Sequence, residues 1–142
     1  MCLSIEVNHP ENVLAKGTHK GFEWIVTNNG SGYRCGYIRV PKGHPWRGKD
    51  YDEIDLDVHG GLTFGEPDLP CDKAGEDDAY WLGFDCAHGF DAPDPKLTNS
   101  DRVHIRALRG ETFGTVRTQE FAEAECRSLC EQAKEETTYE DF

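Results

Sequence analysis

Residues 80–91 read Tyr80-Trp81-Leu82-Gly83-Phe84-Asp85-Cys86-Ala87-His88-Gly89-Phe90-Asp91 and decide how the rest of the chain is interpreted. Residues 80–84 are aromatic and apolar, which is typical of a buried β-strand. Residues 85–91 then carry two carboxylates, a thiol and an imidazole. A rigid strand that delivers polar side chains onto its exit loop is a common way to build a site. The stretch therefore predicts a central strand with a functional site at its end.

Two further strands are predicted at residues 22–27 and 33–40. Residues 28–32, Asn-Asn-Gly-Ser-Gly, tolerate positive φ angles and join the two strands in an antiparallel hairpin. Residues 2–7 also alternate and predict an N-terminal strand. Residues 51–58 alternate acidic with apolar side chains, which favours an edge strand or an extended segment with a solvated acidic face over a cation site.

A C-terminal helix is predicted from Thr118, which can cap it, with Glu120 in the first turn. Small and apolar residues then recur at helical spacing, at Ala122, Cys126, Leu129, Cys130 and Ala133. We expect the acidic residues 135–142 to form a frayed tail. Residues 103–108 fit either a strand or a short helical turn.

These elements predict one α+β domain over residues 1–142, with an antiparallel sheet, many loops and the C-terminal helix packed on one face. A chain of 142 residues is long enough to bury a single core. The 15 glycines and the aromatic content of 11% favour a folded chain that is rich in turns.

The charge balance limits the partners of the chain. A formal net charge of −12 disfavours direct binding to nucleic acid, because a protein needs a basic face to displace counterions from phosphates. No stretch suggests a membrane span or a signal peptide, so we expect a cytoplasmic protein with no membrane partner. In that compartment thiols stay reduced, and the six cysteines are therefore not interpreted as a disulfide framework.

Five sequence blocks occur together in a recognisable order: Tyr33-Arg34-Cys35-Gly36-Tyr37, Gly43-His44-Pro45, Val58-His59-Gly60-Gly61-Leu62-Thr63-Phe64, Trp81-Leu82-Gly83-Phe84-Asp85-Cys86-Ala87-His88 and Phe121-Ala122-Glu123-Ala124-Glu125-Cys126-Arg127. Over residues 33–132 the chain resembles a widespread, functionally uncharacterised family of small proteins encoded by bacteriophages and prophage-bearing bacteria. The resemblance implies a phage accessory protein that acts in the host cytosol on host metabolism or host defence. The pattern of the family includes an Asp a little beyond the second His, for which Asp91 is the candidate here.

The first hypothesis for the site is a metal centre built from His59, Asp85, Cys86 and His88, with Cys35 or Cys71 as a further ligand. These donor types suit a zinc-like divalent metal. Three protein ligands and an open position would activate water, which predicts a small metal-dependent hydrolase.

The second hypothesis is nucleophilic catalysis by Cys86, with His59 as the base and Asp85 or Asp91 orienting the imidazole. An adjacent carboxylate raises the pKa of a thiol, so Asp85 disfavours the reactive thiolate. We rank this hypothesis last among the three.

The third hypothesis is a binding pocket without catalysis, and we rank it first. The predicted lining residues are His59, Gly60, Gly61, Thr63, Asp85 and His88. Trp46 (or Tyr37 or Trp81) would stack on a planar ring, and Arg34 (or Arg39 or Arg47) would supply positive charge. The ligand would be a small polar, nucleotide-like molecule, such as a host-defence signal that the protein sequesters.

Two alternatives involve no small ligand. His59, Asp85 and His88 can form a hydrogen-bonded network that only fixes two loops, because buried polar groups normally have partners. The acidic residues 50–57 can instead present a surface to a basic host protein, which would make the chain a protein–protein inhibitor. In every case we expect the loops after residues 40, 58 and 84 to meet.

Overall fold

The fold is a five-stranded antiparallel sheet with a long C-terminal helix on one face, which confirms the predicted α+β class. The computed structural model describes residues 2–69, 79–111 and 114–140. The strand order in the sheet is β1-β2-β3-β5-β4. The strands are β1 (Val13–His19), β2 (Phe22–Asn28), β3 (Arg34–Val40), β4 (Phe64–Pro67) and β5 (Tyr80–Asp85).

The hairpin of β2 and β3 forms as predicted, with Thr27 opposite Cys35 in antiparallel register. Its turn is closed by the Asn28 side chain, whose carbonyl accepts hydrogen bonds from the backbone of Gly30 and Gly32. Strand β5 pairs with β3 on one side and with β4 on the other, so it lies inside the sheet. This interior position explains its continuous run of buried residues from Trp81 to Phe84.

The helices are α1 (Ser4–Asn8), α2 (Asp101–Arg109) and α3 (Gln119–Glu140). Helix α3 covers the sheet with the apolar face that its spacing predicts, since Ala122, Cys126, Leu129, Cys130 and Ala133 are all fully buried. The helix approaches β3 closely at Gly36, where a β-carbon would lie 2.7 Å from Cys126 Sγ. It continues through residues 135–140, the part of the expected frayed tail that the structure describes. Glutamate has a high helix propensity, so the acidic residues continue helix α3 beyond the turns that pack on the sheet.

The predicted N-terminal strand at residues 2–7 is wrong. Leu3 is fully buried and the short helix α1 follows it, while the first strand of the sheet is β1. Leu3 and Ile5 pack against Ile25 and Trp81 on the sheet face opposite α3. Leu3 is buried, Ile5 is half-buried and Val7 is exposed, so the alternation at the N-terminus does not mark a paired strand.

Residues 51–58 form a 3-10 turn at Tyr51–Glu53 and then an extended segment rather than an edge strand. Ile54 and Val58 are buried while Asp55 and Asp57 are exposed, which agrees with a solvated acidic face. Residues 103–108, whose sequence fits either a strand or a helical turn, belong to α2. Ser100 caps this helix, because its side chain accepts a hydrogen bond from the backbone of Val103.

Two short strands, β6 (Asp91–Ala92) and β7 (Thr115–Val116), form a separate parallel pair that brings residues 91 and 117 together. Cys2 is disulfide-bonded, which departs from the expectation of reduced thiols, whereas Cys35, Cys86, Cys126 and Cys130 are free. Within the described ranges, no helix combines the length and apolar character that a membrane span requires.

Candidate functional site

The candidate site is organised around Asp91, whose carboxylate is completely shielded from solvent. Its Oδ1 accepts a hydrogen bond from Arg117 Nε at 2.7 Å. His59 Nε2 lies 3.0 and 2.9 Å from its two oxygens, and His88 Nδ1 lies 3.1 Å from Oδ2. We call His59, His88, Asp91 and Arg117 the Asp91 cluster. It joins three segments that are distant in the sequence.

His59 reaches the cluster from a tight turn after the buried Val58. The turn is closed by a hydrogen bond from Gly61 N to Val58 O, and Gly60 has a φ of +69°. The backbone of His59 donates to the Glu125 carboxylate of α3 at 2.9 Å. This hydrogen bond to helix α3 therefore helps to position the His59 ring against Asp91.

His88 reaches the cluster from the exit loop of β5. Asp85 ends the strand and accepts a hydrogen bond from the backbone of Ala87. The backbone of His88 then donates to Asp91 Oδ2, while the backbone of Asp91 donates to His88 O. These reciprocal bonds make residues 88–91 a compact turn that orients the imidazole and the carboxylate together.

The tautomers of both histidines follow from their partner. An ionised carboxylate only accepts hydrogen bonds, so His59 Nε2 and His88 Nδ1 are the donors. His59 Nδ1 and His88 Nε2 then point away from Asp91, and His88 Nε2 lies 3.9 Å from Asp85 Oδ1. Thr63 donates to the other oxygen of Asp85 at 2.8 Å, which adds two polar side chains beside His88.

Hydrogen bonding keeps Asp91 ionised despite its burial. Burial alone raises the pKa of a carboxyl group, but the hydrogen bonds from Arg117, His59 and His88 outweigh it and hold the pKa of Asp91 well below its usual range. The cluster therefore contains a buried anion that is balanced by the Arg117 guanidinium.

Aromatic rings enclose the polar groups. Phe90 stacks on His88 with ring centroids 5.6 Å apart and an interplanar angle of 11°. Phe121 meets His59 edge to face, and the Arg117 guanidinium lies over both phenyl rings. Phe90 remains 55% exposed, so the site has an open aromatic surface.

Most of the predicted ligand-binding residues do come together. His59 and His88 are in contact, with ring centroids 5.3 Å apart, and Gly60 lies against the His88 ring. Thr63 and Asp85 lie beside them, and Gly61 belongs to the same turn. The loops after residues 58 and 84 therefore meet as expected.

Trp46 and Arg34 do not line this site. Trp46 is only 2% exposed, because it packs edge to face on His44, whose ring bonds to Ala133 O of α3. Arg34 is buried as well, and its three nitrogens bond to Asp94, to the Arg117 carbonyl and to Gln119. Arg34 thus supports the segment that carries Arg117 and has no free charge for a ligand.

The structure corrects the predicted metal ligands. Within the described ranges, His59, His88 and Asp91 each offer one ligand atom within 4.8 Å of the others, and neither Asp85 nor Cys86 joins them. Cys86 is buried in the core, where burial and the charge of Asp91 raise the pKa of its thiol to about 12. Cys35 is also buried, and burial raises the pKa of its thiol to about 11. Cys71 lies outside the described residues.

Cys86 is equally unsuited to nucleophilic catalysis, because its thiol stays protonated near neutral pH. A second acidic group, formed by Asp50, Asp52 and Glu53, is exposed at the surface. Its exposure agrees with solvated carboxylates.

Sequence reasoning missed Arg117, Phe90 and Phe121 as parts of the site. The sequence suggests Asp91 as an orienting group and as the Asp of the family pattern, but not as the centre of the site. Nothing in the local sequence distinguishes Arg117 from other surface arginines, since its role arises from the β6–β7 pairing. No protein-family model, curated protein or solved structure matches this chain.

Proposed function

We propose that this chain is a phage-encoded accessory protein that binds a small polar, nucleotide-like molecule at the Asp91 cluster. The phage origin rests on the five sequence blocks described above. The binding proposal rests on one observation: the buried Asp91 carboxylate holds two imidazoles in place at a partly exposed surface. Sequestration of a host-defence signal requires tight binding without turnover, and such a site needs no reactive group.

Preorganisation favours binding. Each imidazole donates one ring N–H to Asp91, so its orientation is set before a ligand arrives. The side chains of His88 and Arg117 are 24% and 23% exposed, whereas that of Asp91 is not exposed. Rigid polar groups that a ligand can reach reduce the conformational entropy lost on binding.

The surroundings of the cluster favour a ligand with a planar, hydrogen-bonding ring. The exposed face of Phe90 offers a stacking surface next to His88. The Asp85 carboxylate and the Thr63 hydroxyl add polar partners on the strand side of His88. A nucleobase or a similar heterocycle combines these requirements, which supports a nucleotide-like ligand.

A metal-dependent hydrolase is the second candidate, and the close approach of His59, His88 and Asp91 favours it. Two imidazoles and a carboxylate are a donor set used by zinc and other divalent metals. Against it, both Asp91 oxygens already accept hydrogen bonds, one of them from a guanidinium at 2.7 Å. A cation at this position would have to replace the hydrogen bonds between the two imidazoles and Asp91, next to the positively charged Arg117.

The test combines metal analysis with ligand screening on protein purified without a metal-affinity tag. His88→Gln removes the partly exposed imidazole, and His9→Gln is the matched control at an exposed histidine bonded to Glu11. We expect nucleosides or nucleotides in a thermal-shift panel to stabilise the wild type and His9→Gln. His88→Gln should bind the ligand about tenfold more weakly, because the imidazole contact with the ligand is lost.

Two results would contradict the proposal. Ligand binding that His88→Gln leaves unchanged would place the ligand elsewhere. Stoichiometric zinc, iron or manganese that is present in the wild type and lost in His88→Gln would replace the binder with the metal-dependent enzyme.

A further inference from the structure

A separate cavity of about 370 Å³ lies between α2, Tyr33 and residues 91–93. Its lining comprises Tyr33, Asp91, Ala92, Pro93, Arg102, Val103, Arg106 and Glu111, and it includes none of the histidines of the Asp91 cluster. Ligand pockets commonly have volumes of about 300–1,000 Å³, so the cavity is large enough for a small organic molecule.

Helix α2 contributes two positively charged side chains to the lining of this cavity. Arg102 and Arg106 are one helical turn apart and therefore lie on the same face of the helix. Within the described residues, neither guanidinium forms an ion pair or a side-chain hydrogen bond. Of the lining carboxylates, Asp91 is bound by Arg117, which leaves Glu111 as the acidic side chain at the cavity.

The remaining lining residues are aromatic or apolar, namely Tyr33, Ala92, Pro93 and Val103. Hydrogen bonds hold the loop segments that carry them. Tyr33 is half-buried, and its backbone is held by hydrogen bonds to Asn29 in both directions. A bond from Asp94 N to Gly32 O ties this loop to the segment that contains Ala92 and Pro93. The lining thus combines an aromatic residue and apolar side chains with two arginines.

We propose that this cavity binds a small organic anion in which a phosphate group is attached to a planar ring. Guanidinium groups form paired hydrogen bonds with phosphate oxygens, and the Tyr33 side chain provides contact for a ring. The net charge of −12 repels anions at long range, so binding depends on the local arginines. The cavity shares Asp91 with the Asp91 cluster, but the inference rests on Tyr33, Arg102 and Arg106 and does not depend on the function proposed for the cluster.

The test is isothermal titration with phenyl phosphate, which carries one ring and one phosphate. The double variant Arg102→Gln/Arg106→Gln removes both lining guanidiniums. Arg109→Gln is the matched control, because Arg109 is an exposed arginine in the same last turn as Arg106 but does not line the cavity. We expect the double variant to bind at least about tenfold more weakly, and Arg109→Gln to stay within about twofold.

A further variant separates the ring from the phosphate, because Tyr33→Leu should weaken the binding of phenyl phosphate about fivefold while leaving the binding of inorganic phosphate unchanged. His9→Gln alters an exposed histidine that does not line the cavity, and it should bind phenyl phosphate as the wild type does. The proposal is overturned by absence of saturable binding, by an equal loss in Arg109→Gln, or by wild-type affinity in the double variant.

Discussion

The ring of His88 lies directly against Gly60, so that a β-carbon at residue 60 would come within 2.2 Å of His88 Cε1. This contact joins the His-Gly-Gly block to the exit loop of the central strand. Gly60 also has a φ of +69°, a left-handed backbone conformation that residues with a β-carbon rarely adopt. The glycine is therefore required both for the turn and for the position of the second imidazole.

Gly60→Ala should lower the free energy of unfolding by about 2–4 kcal/mol, because overpacking adds to the cost of a left-handed backbone. Urea unfolding measures this loss. Gly61→Ala is the matched control, since Gly61 has a φ of +79° but no atom within 4 Å of a built β-carbon. A loss in Gly61→Ala as large as that in Gly60→Ala would show that the contact with His88 is unimportant.

Asp91→Asn should reduce stability by about 3 kcal/mol at neutral pH, because it leaves the Arg117 guanidinium without its buried anion. The pKa of Asp91 is depressed in the folded state, so its contribution is complete above the pKa of the unfolded chain, about 3.9. This contribution is lost as the pH falls below about 4, and the difference between wild type and variant should shrink there.

Urea unfolding of both proteins between pH 7 and pH 2 measures the change. Asp55→Asn alters an exposed carboxylate and should differ little from wild type across the same range. A difference for Asp91→Asn that stays constant down to pH 2 would rule out a depressed pKa at Asp91.

Cys35, Cys86, Cys126 and Cys130 should all resist thiol reagents in the folded protein. They are buried, and burial raises the pKa of each thiol, to about 12 for both Cys86 and Cys130. Titration with an aromatic disulfide reagent at pH 8 should release colour from these four thiols only after denaturant is added. Rapid native reaction at Cys86, located by peptide mapping, would restore it as a candidate nucleophile.

Arg34→Lys should destabilise the protein by about 2–3 kcal/mol although it conserves the charge, because an ammonium cannot satisfy all the partners of the guanidinium fork. It should also weaken ligand binding at the Asp91 cluster, since Arg34 holds the carbonyl of Arg117. Unfolding and binding measurements test the two effects.

Arg39→Lys is the control for this change, because an ammonium can still pair with Asp68, which Arg39 Nε contacts at 2.8 Å. The expected loss there is smaller. Equal losses at the two positions would mean that the geometry of Arg34 has no special role.

The elements predicted correctly are those whose signal is local. The turn at residues 28–32 and the helical spacing of α3 depend on neighbouring residues alone. Strand β1 lacks such a signal: it is an edge strand, Val-Leu-Ala-Lys-Gly-Thr-His, whose register shifts between Val13 and Ala15. Its structure comes from pairing with β2.

The same distinction separates the residues of the site. Residue types and glycines alone point to His59, Gly60, Asp85 and His88. Trp46 was misassigned because a loop position between proline and arginine does not reveal that α3 buries the indole. Cys86 was misassigned because its place after Asp85 gives no sign of the core around it.

The sequence by itself determined the α+β class, the central strand and the two histidine blocks, because each depends on periodicity or on residues a few positions apart. Only the tertiary structure decided that Asp91 is the centre and Arg117 its counter-ion. His59 and Arg117 lie 32 and 26 positions from Asp91 and reach it through the sheet, α3 and the β6–β7 pair. Contacts across such separations are set by packing, which no local pattern encodes.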